Sequence, residues 1–197
     1  MRRTRRRWPS LSSLPRRNSD VIDAAHYVAA ETLKGGLAAT VRALRPDDRE
    51  RVARAVRGLD RQSIYYRLFS YRNELSDAGL DRIMRFDPAR EVVLLVTIGE
   101  GKDEAIIGSG RYVASDPGTA EVAFVVEESY HGRGAASTLL RHLSRVARES
   151  GITTFEADVL ADNKAMRAVF ERTGWPMTTR RDGDAVHVAM RLPAAGG

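Results

Sequence analysis

Hydrophobic and polar residues follow two different periods along this chain, and each change of period marks a predicted strand or helix. Apolar residues at every second position predict a first strand over residues 37–44. Three apolar, β-branched runs follow at residues 91–99, 105–114 and 119–126. Only short turns containing glycine and aspartate separate these runs, so the sequence predicts an antiparallel meander.

Apolar residues spaced three or four positions apart predict the helices. The longest runs from Gly132 or Arg133 to Ser150, and Gly151 ends it. A shorter helix is predicted from Asn18 or Ser19 up to Gly35, with an apolar stripe of Ile22, Ala25, Ala29 and Leu33. Four more helices are predicted: one after Pro46, one around residues 63–69, one that begins at the N-cap Ser76, and one over residues 163–173. A strand at residues 153–160 and a hairpin at residues 177–192 around Asp182-Gly183 complete the chain.

This order of elements predicts an α+β fold with a mixed sheet, because a meander is followed by strand, helix and strand. The right-handed crossover rule makes the strands on either side of the long helix parallel neighbours. We predict four segments: an arginine-rich disordered tail at residues 1–17, an N-terminal helical extension at 18–36, one globular domain at 37–193 and a short tail at 194–197.

Charge and composition exclude several classes of function. The net charge of +6 comes from the tail, where residues 1–17 hold seven arginines and no acid. We therefore expect nucleic acid to be bound only through that tail, if at all. No apolar stretch approaches the roughly 20 residues that span a bilayer. The absence of cysteine excludes disulfides, thiolate metal sites and a cysteine acyl-enzyme, and it is typical of a reducing cytoplasm.

Candidate chemistry begins with a glycine-containing loop between the third apolar run and the long helix. The loop reads His131-Gly132-Arg133-Gly134-Ala135-Ala136. A strand, a glycine loop and a helix N-terminus together predict an anion site for a phosphate or pyrophosphate group. A P-loop is excluded because this loop contains no lysine that could reach a terminal phosphate. A dinucleotide site is not supported either, because Ser137 stands where the Gly-x-Gly-x-x-Gly fingerprint needs its third glycine.

This loop resembles the acetyl-CoA loop of the GNAT acyltransferase superfamily, Gln/Arg-x-x-Gly-x-Gly/Ala, with His131, Gly134 and Ala136 in its defined positions. His131 departs from the pattern, although histidine can donate to phosphate. A second block from Asn163 to Trp175 is similar to the superfamily's later helix. The resemblance covers residues 37–193 and implies a GNAT acetyltransferase domain with a centrally splayed sheet that takes acetyl-CoA as acyl donor. It implies donor contacts at Phe124, Val125, Val126, His131, Gly132, Arg133, Gly134, Ala135, Ala136, Asn163 and Phe170.

Glu121 is the candidate catalytic base. From the residues alone it is either a base on a largely apolar strand or a solvated glutamate. The run from Ala120 to Val126 resembles a bacterial protein-lysine acetyltransferase subfamily whose strand carries the catalytic glutamate at this position. The same resemblance implies an oxyanion donor at the main-chain N–H of Val125 or Val126.

Other residues are assigned by position. Tyr65, Arg67 and Arg111 lie where relatives contact the acceptor, and residues 63–69 resemble the subfamily's Ser-x-Tyr-x-Arg-Phe run with Leu68 inserted. Phe170 stands where many relatives have a tyrosine that protonates the leaving sulfur, but phenylalanine has no proton to give. Because it belongs to an apolar helical stripe, Phe170 is either a core residue or packs against the pantetheine. Asn163 either bonds the pantetheine amides or caps its helix. No metal site is expected, because His26, His142 and His187 lack metal-ligand spacing.

The sequence therefore predicts an acetyl-CoA-dependent N-acetyltransferase in which a lysine amine of a protein attacks the thioester directly. The resembling subfamily modifies acyl-CoA synthetases, which makes such an enzyme the first candidate partner. Two alternatives stay open: a small-molecule amine N-acetyltransferase on the same scaffold, and a non-catalytic acyl-CoA-binding regulator.

Overall fold

An eight-stranded sheet organises the computed structural model, which describes residues 22–59 and 77–194. The strands are β1 (Val28–Leu33), β2 (Leu37–Ala43), β3 (Glu91–Ile98), β4 (Ala105–Asp116), β5 (Thr119–Val126), β6 (Thr154–Leu160), β7 (Met177–Asp182) and β8 (Ala185–Arg191). The α-helices of the described residues are α1 (Arg49–Gly58), α2 (Asp77–Met84), α3 (Ala135–Glu149) and α4 (Lys164–Glu171). None of these helices is long and apolar enough to cross a membrane.

The strand order is β1-β2-β3-β4-β5-β6-β8-β7, and every pair is antiparallel except β5 with β6. The predicted meander, the parallel neighbours around the long helix and the C-terminal hairpin are all confirmed. The hairpin turns at Gly183, whose φ of 58° suits a tight two-residue loop.

Among the strands of the described residues, β5 and β6 form the only parallel pair, which is also the shortest. It joins residues 119–121 to residues 154–156 and ends at Glu121 and Glu156. Beyond that point β5 continues to Val126 against β4, while β6 continues to Leu160 against β8. The two strands therefore separate, and the gap between residues 122–126 and 157–160 is called the fork below. The splayed sheet that the resemblance implied is confirmed.

Helix α3 covers one face of the sheet with a continuous apolar stripe, because Leu139, Leu140, Leu143 and Val146 are at most 1% exposed. Burying each such side chain contributes about 1.5–3 kcal/mol. The opposite face of the sheet is covered by α1 and α2 through a smaller cluster of buried residues, Leu44, Val52, Ala53, Leu80 and Leu95.

Gly110 of β4 lets α3 approach the sheet closely. A Cβ at this position would lie 2.9 Å from Leu143 Cδ1 and 2.9 Å from Phe124 Cδ1, which is closer than packed carbon atoms come. The missing side chain therefore lets Leu143 and Phe124 both pack over Gly110. This packing holds α3 against the part of the sheet that carries β4 and β5.

The predicted helical extension at residues 18–36 is wrong in its described part. A single 3₁₀ turn, Ala24–His26, is followed by β1, which pairs with β2 over six residue pairs. Ala29 and Leu33 fit a helical stripe and an alternating pattern equally well. Pairing with β2 decides between them, because it supplies backbone partners and buries Leu33. The domain consequently begins with β1, before residue 37.

Two other predictions differ in detail. Helix α3 begins at Ala135 rather than at Gly132 or Arg133, because Gly132 and Gly134 have φ values of 74° and 93° that a right-handed helix excludes. The arginine tail, the helix around residues 63–69 and the N-cap Ser76 lie outside the described residues.

A buried ion pair joins β2 to the turn before α1. Arg42, 2% exposed, makes two 2.7 Å hydrogen bonds to Asp48, which is fully buried, and a third to Glu104. Burial alone would raise the pKa of Asp48, but the hydrogen bonds from Arg42 and from the Arg45 N–H outweigh it and lower that pKa. The pair therefore stabilises the fold with Asp48 ionised.

Asp48→Asn should lower the free energy of unfolding by about 3–5 kcal/mol at neutral pH, because Arg42 keeps its charge without its main partner. Denaturant unfolding measures this, with Asp81→Asn in an exposed ion pair as the matched control. Since the pKa of Asp48 is lowered by folding, its stabilisation is present above about pH 4 and is lost as the pH falls through its folded value. A stability loss no larger than that of Asp81→Asn would contradict the role of the pair.

Candidate active site

The fork opens into a groove of about 830 Å³ on the side of the sheet covered by α3. Its walls are the end of β5, the loop before α3, the first turn of α3, the start of α4 and the β1–β2 turn. Of the predicted donor contacts, it brings together Phe124, Val125, Val126, His131, Gly132, Arg133, Gly134, Ala135, Ala136 and Asn163.

The loop before α3 has the geometry of an anion site. No atom lies within 4 Å of a Cβ built on Gly132 or Gly134, so the space beside them is open. The first helical hydrogen bond, from Thr138 N–H to Gly134 O, leaves the preceding amides without helical partners. Ala136 and Ser137 lie in this first turn and line the groove. Their amides and the positive end of the α3 dipole suit a phosphate group.

His131 lines the groove and also contacts the strand. Its Nε2 donates a 2.8 Å hydrogen bond to the Val126 carbonyl. In the neutral ring the remaining nitrogen, Nδ1, is then an acceptor and offers no proton to a phosphate. The ring therefore holds the end of β5 against the loop, and only its protonated form has a donor left for an anion.

The unpaired edge of β5 determines which main-chain N–H faces the fork. Glu127 N–H donates to Ile107 O on β4, whereas the Val126 carbonyl accepts from His131 on the opposite side. Because successive residues of a strand direct their N–H groups to opposite edges, the N–H of Val126 points into the fork and that of Val125 points to β4. Of the two predicted oxyanion donors, the register leaves Val126 available.

Among the described residues, four lysine and arginine side chains line the groove, and of these the sequence analysis selected only Arg133. The others are Lys34, Lys164 and Arg172. Lys34 belongs to the β1–β2 turn, where its N–H donates to the Arg133 carbonyl at 3.0 Å. No sequence signal placed Lys34 here, because the hairpin that carries it was predicted as a helix.

Asn163 and Phe170 occupy different positions in α4. Asn163 caps the helix, since its Oδ1 accepts from Met166 N–H at 3.0 Å, and it also lies in the groove wall. Phe170 is 2% exposed and does not line the groove. It packs in the core against Phe124, with ring centroids 6.3 Å apart. The predicted contact between Phe170 and the acyl donor is therefore corrected, because Phe170 supports the groove wall from the core side.

The opposite face of the sheet carries the predicted acceptor residues. Glu121, the last residue of β5 to pair with β6, is exposed on this face. Arg111 makes a 2.6 Å ion pair with Glu91 and lines an apolar cavity of about 330 Å³ under α1 and α2. Val125 borders both this cavity and the groove. Tyr65 and Arg67 lie outside the described residues.

Comparison with known proteins gives consistent matches. Residues 61–175 match the model of the acetyltransferase (GNAT) family. The chain is 30% identical to an acetyltransferase of Pseudomonas aeruginosa, covering 87% of this chain and 91% of that protein. It is 34% identical to the acetyltransferase Pat of Mycolicibacterium smegmatis, covering 78% of this chain but only 45% of Pat. The solved GNAT domain of S. lividans PAT is 34% identical, with a TM-score of 0.74, covering 84% of this chain and 97% of that domain.

Gly134→Val and Ala136→Asp should each abolish acetyl-CoA binding while the fold survives. The new side chains would enter space open to the groove, and the aspartate would also repel phosphate. Gly151→Val is the matched control, because Gly151 has a similar φ of 79° but lies outside the groove. Isothermal calorimetry measures the affinity; unchanged binding in both groove variants would exclude the pyrophosphate assignment.

Proposed function

The chain belongs to the acetyltransferase (GNAT) family, and we propose that it transfers the acetyl group of acetyl-CoA to a lysine amine of a protein substrate. The observation that carries this proposal is the arrangement at the fork. The groove with its anion-binding loop and the apolar cavity under α1 and α2, called the acceptor cavity below, both border Val125. Acyl donor and amine can therefore approach one point from opposite faces of the sheet.

The groove fits acetyl-CoA, which supplies an acetyl group activated as a thioester. The first-turn amides of α3 and the side chain of Arg133 suit the pyrophosphate. Lys34, Lys164 and Arg172 add positive charge along the walls. The Cβ-free positions at Gly132 and Gly134 leave space for the phosphates to reach the backbone.

The N–H of Val126 is proposed as the donor that stabilises the developing oxyanion. It points into the fork, and the His131 ring holds the adjacent Val126 carbonyl at 2.8 Å. A donor fixed before the reaction stabilises negative charge without reorganisation, and removing one such donor typically costs about 10²–10³-fold in rate.

Glu121 is proposed as the base that prepares the amine, directly or through a water. A lysine amine has a pKa of about 10.4, so nearly all of it is ammonium at neutral pH and cannot attack. Glu121 lies where β5 and β6 separate, on the face that carries the acceptor cavity. A carboxylate there attracts the ammonium and can accept its proton.

Departure of the thiolate is proposed to need no acid. Phe170 holds the position of the tyrosine found in many relatives, and it is buried with no proton to give. A thiol with a pKa near 8.5 is a competent leaving group without protonation.

The acetyltransferase activity is supported by the relatives, and the protein substrate is proposed from the resemblance of the sequence to the lysine acetyltransferase subfamily. Pat and S. lividans PAT are both over 30% identical to this chain. An acyl-CoA synthetase is proposed as the acceptor, on the resemblance of residues 120–126 to the lysine acetyltransferase subfamily. The chain covers less than half of Pat, so the activity of the whole of Pat is carried over only as a proposal.

Labelled acetyl-CoA added with the protein to a cell extract tests the acceptor class. Labelled proteins whose modified residue is lysine support the proposal. Label confined to small molecules contradicts the protein substrate, and binding without transfer contradicts the enzyme activity.

Glu121→Gln should reduce kcat on the order of 10²–10⁴-fold while the affinity for acetyl-CoA is unchanged, because the side chain faces the acceptor and lies outside the groove. Its residual rate should rise as the pH approaches about 10.4, where the amine loses its own proton. Steady-state kinetics over pH measure both effects, with the exposed Glu149→Gln on α3 as control. Full activity of Glu121→Gln at pH 7 would eliminate Glu121 as base.

A further inference from the structure

A histidine and an aspartate form a pair on the β6 side of the fork. Asp158 of β6 and His187 of β8 are register partners, and Asp158 lies two residues beyond Glu156, which pairs with Glu121. Side chains alternate along a strand, and register partners share a face. His187, Asp158 and Glu121 therefore all lie on the face of the sheet opposite α3, which is called the acceptor face below. The buried Val188 next to His187 faces the core on the other side.

The pair has the geometry that orients a base. His187 Nδ1 lies 3.0 Å from Asp158 Oδ1, so the ring donates from Nδ1 to the carboxylate. Nε2 then carries the lone pair, and no residue in the described ranges 22–59 and 77–194 hydrogen-bonds to it. The His187 side chain is 31% exposed, so the ring is partly open to solvent. A carboxylate on one imidazole nitrogen fixes the tautomer that makes the other nitrogen a proton acceptor.

The other three histidines do not offer such a nitrogen to the fork. His131 is bonded to Val126 O through Nε2, and His142 is buried with its two nitrogens against Tyr27 and Glu31. His26 pairs with Asp23 on an exposed 3₁₀ turn before β1, at the other edge of the sheet.

Acidic and basic side chains both share the face of His187. Asp158 and Glu156 of β6 lie on its face, as does Glu121 of β5, while Arg180 is its register partner on β7 and Asp182 lies one step further. Arg191 of β8 and Arg111 of β4 lie on the same face, so it carries charges of both signs. Of these groups, Asp158 is the one that hydrogen-bonds to His187.

Acetylation of an ammonium removes two protons from one nitrogen, one before the attack and one as the amide forms. We propose that His187, oriented by Asp158, accepts one of these protons, and Glu121 the other; this rests on the proposed function. As an N–H bond of the amine breaks, its electron pair stays on the amine nitrogen and the Nε2 lone pair takes the proton. The resulting imidazolium releases the proton to solvent, since the ring is partly exposed.

Two variants test this proposal. His187→Asn retains an amide donor near the position of Nδ1 and removes Nε2, whereas Asp158→Asn keeps the ring and removes its carboxylate. With acetyl-CoA and poly-L-lysine, His187→Asn should lower kcat/KM on the order of 10–10²-fold at pH 7, part of the usual effect of a general base. The loss should shrink near pH 10, and acetyl-CoA affinity should be unchanged. Asp158→Asn should also lower kcat/KM at pH 7, because the ring loses the carboxylate that fixes Nε2 as the proton acceptor.

His26→Asn is the matched control, since it alters an exposed His–Asp pair far from the fork and should leave the profile unchanged. A loss in His187→Asn that is equal at all pH values, or accompanied by a matching loss of stability, would show a structural pair only and overturn the proposal. Unchanged kinetics in His187→Asn would overturn it too, while wild-type transfer to lysine still supports the proposed function. A wild-type protein that transfers nothing to poly-L-lysine or extract proteins would overturn both.

Discussion

The early end of pairing between β5 and β6 is the constraint on which the rest of the site depends. Parallel pairing lasts for three residues and stops at Glu121 and Glu156, after which each strand keeps only its other neighbour. The edge of β5 is left with main-chain groups that need partners, because unpaired buried N–H and C=O groups are costly. His131 satisfies the Val126 carbonyl, and the Val126 N–H remains directed into the fork. A gap in the sheet thus becomes a place where a ligand can complete the hydrogen bonding.

Packing keeps this gap open. On one face, the absence of a side chain at Gly110 lets Leu143 of α3 and Phe124 of β5 pack closely over β4. On the other face, the Arg42–Asp48 pair joins β2 to the turn before α1. Residues of α1 in turn line the acceptor cavity. The two faces also differ in charge. Four lysine and arginine side chains of the described residues line the groove, where phosphates are expected, while Glu121, Glu156 and Asp158 lie on the opposite face beside the fork, where an ammonium is expected.

Much of the fold could be predicted because its local signals are strong. The β-branched runs, the long amphipathic stripe of α3 and the Asp-Gly hairpin each have one dominant period or turn type, and each formed as predicted. The N-terminal segment failed for a physical reason. Ala29 and Leu33 fit both periods, and only pairing with β2, which is a tertiary contact, selects the strand. Lys34 was missed for the same reason, since the β1–β2 turn alone brings it to the groove.

The sequence by itself determined the anion loop, since the glycines and the following helix act through local backbone geometry that needs no distant partner. It also determined the family resemblance and the candidate Glu121. Tertiary structure decided which atoms face each other across the fork. Register made Val126 rather than Val125 the free donor, core packing moved Phe170 behind the groove wall, and pairing of β6 with β8 brought His187 onto Asp158. These contacts join residues distant in sequence, and only a complete sheet specifies which side of each strand a group faces.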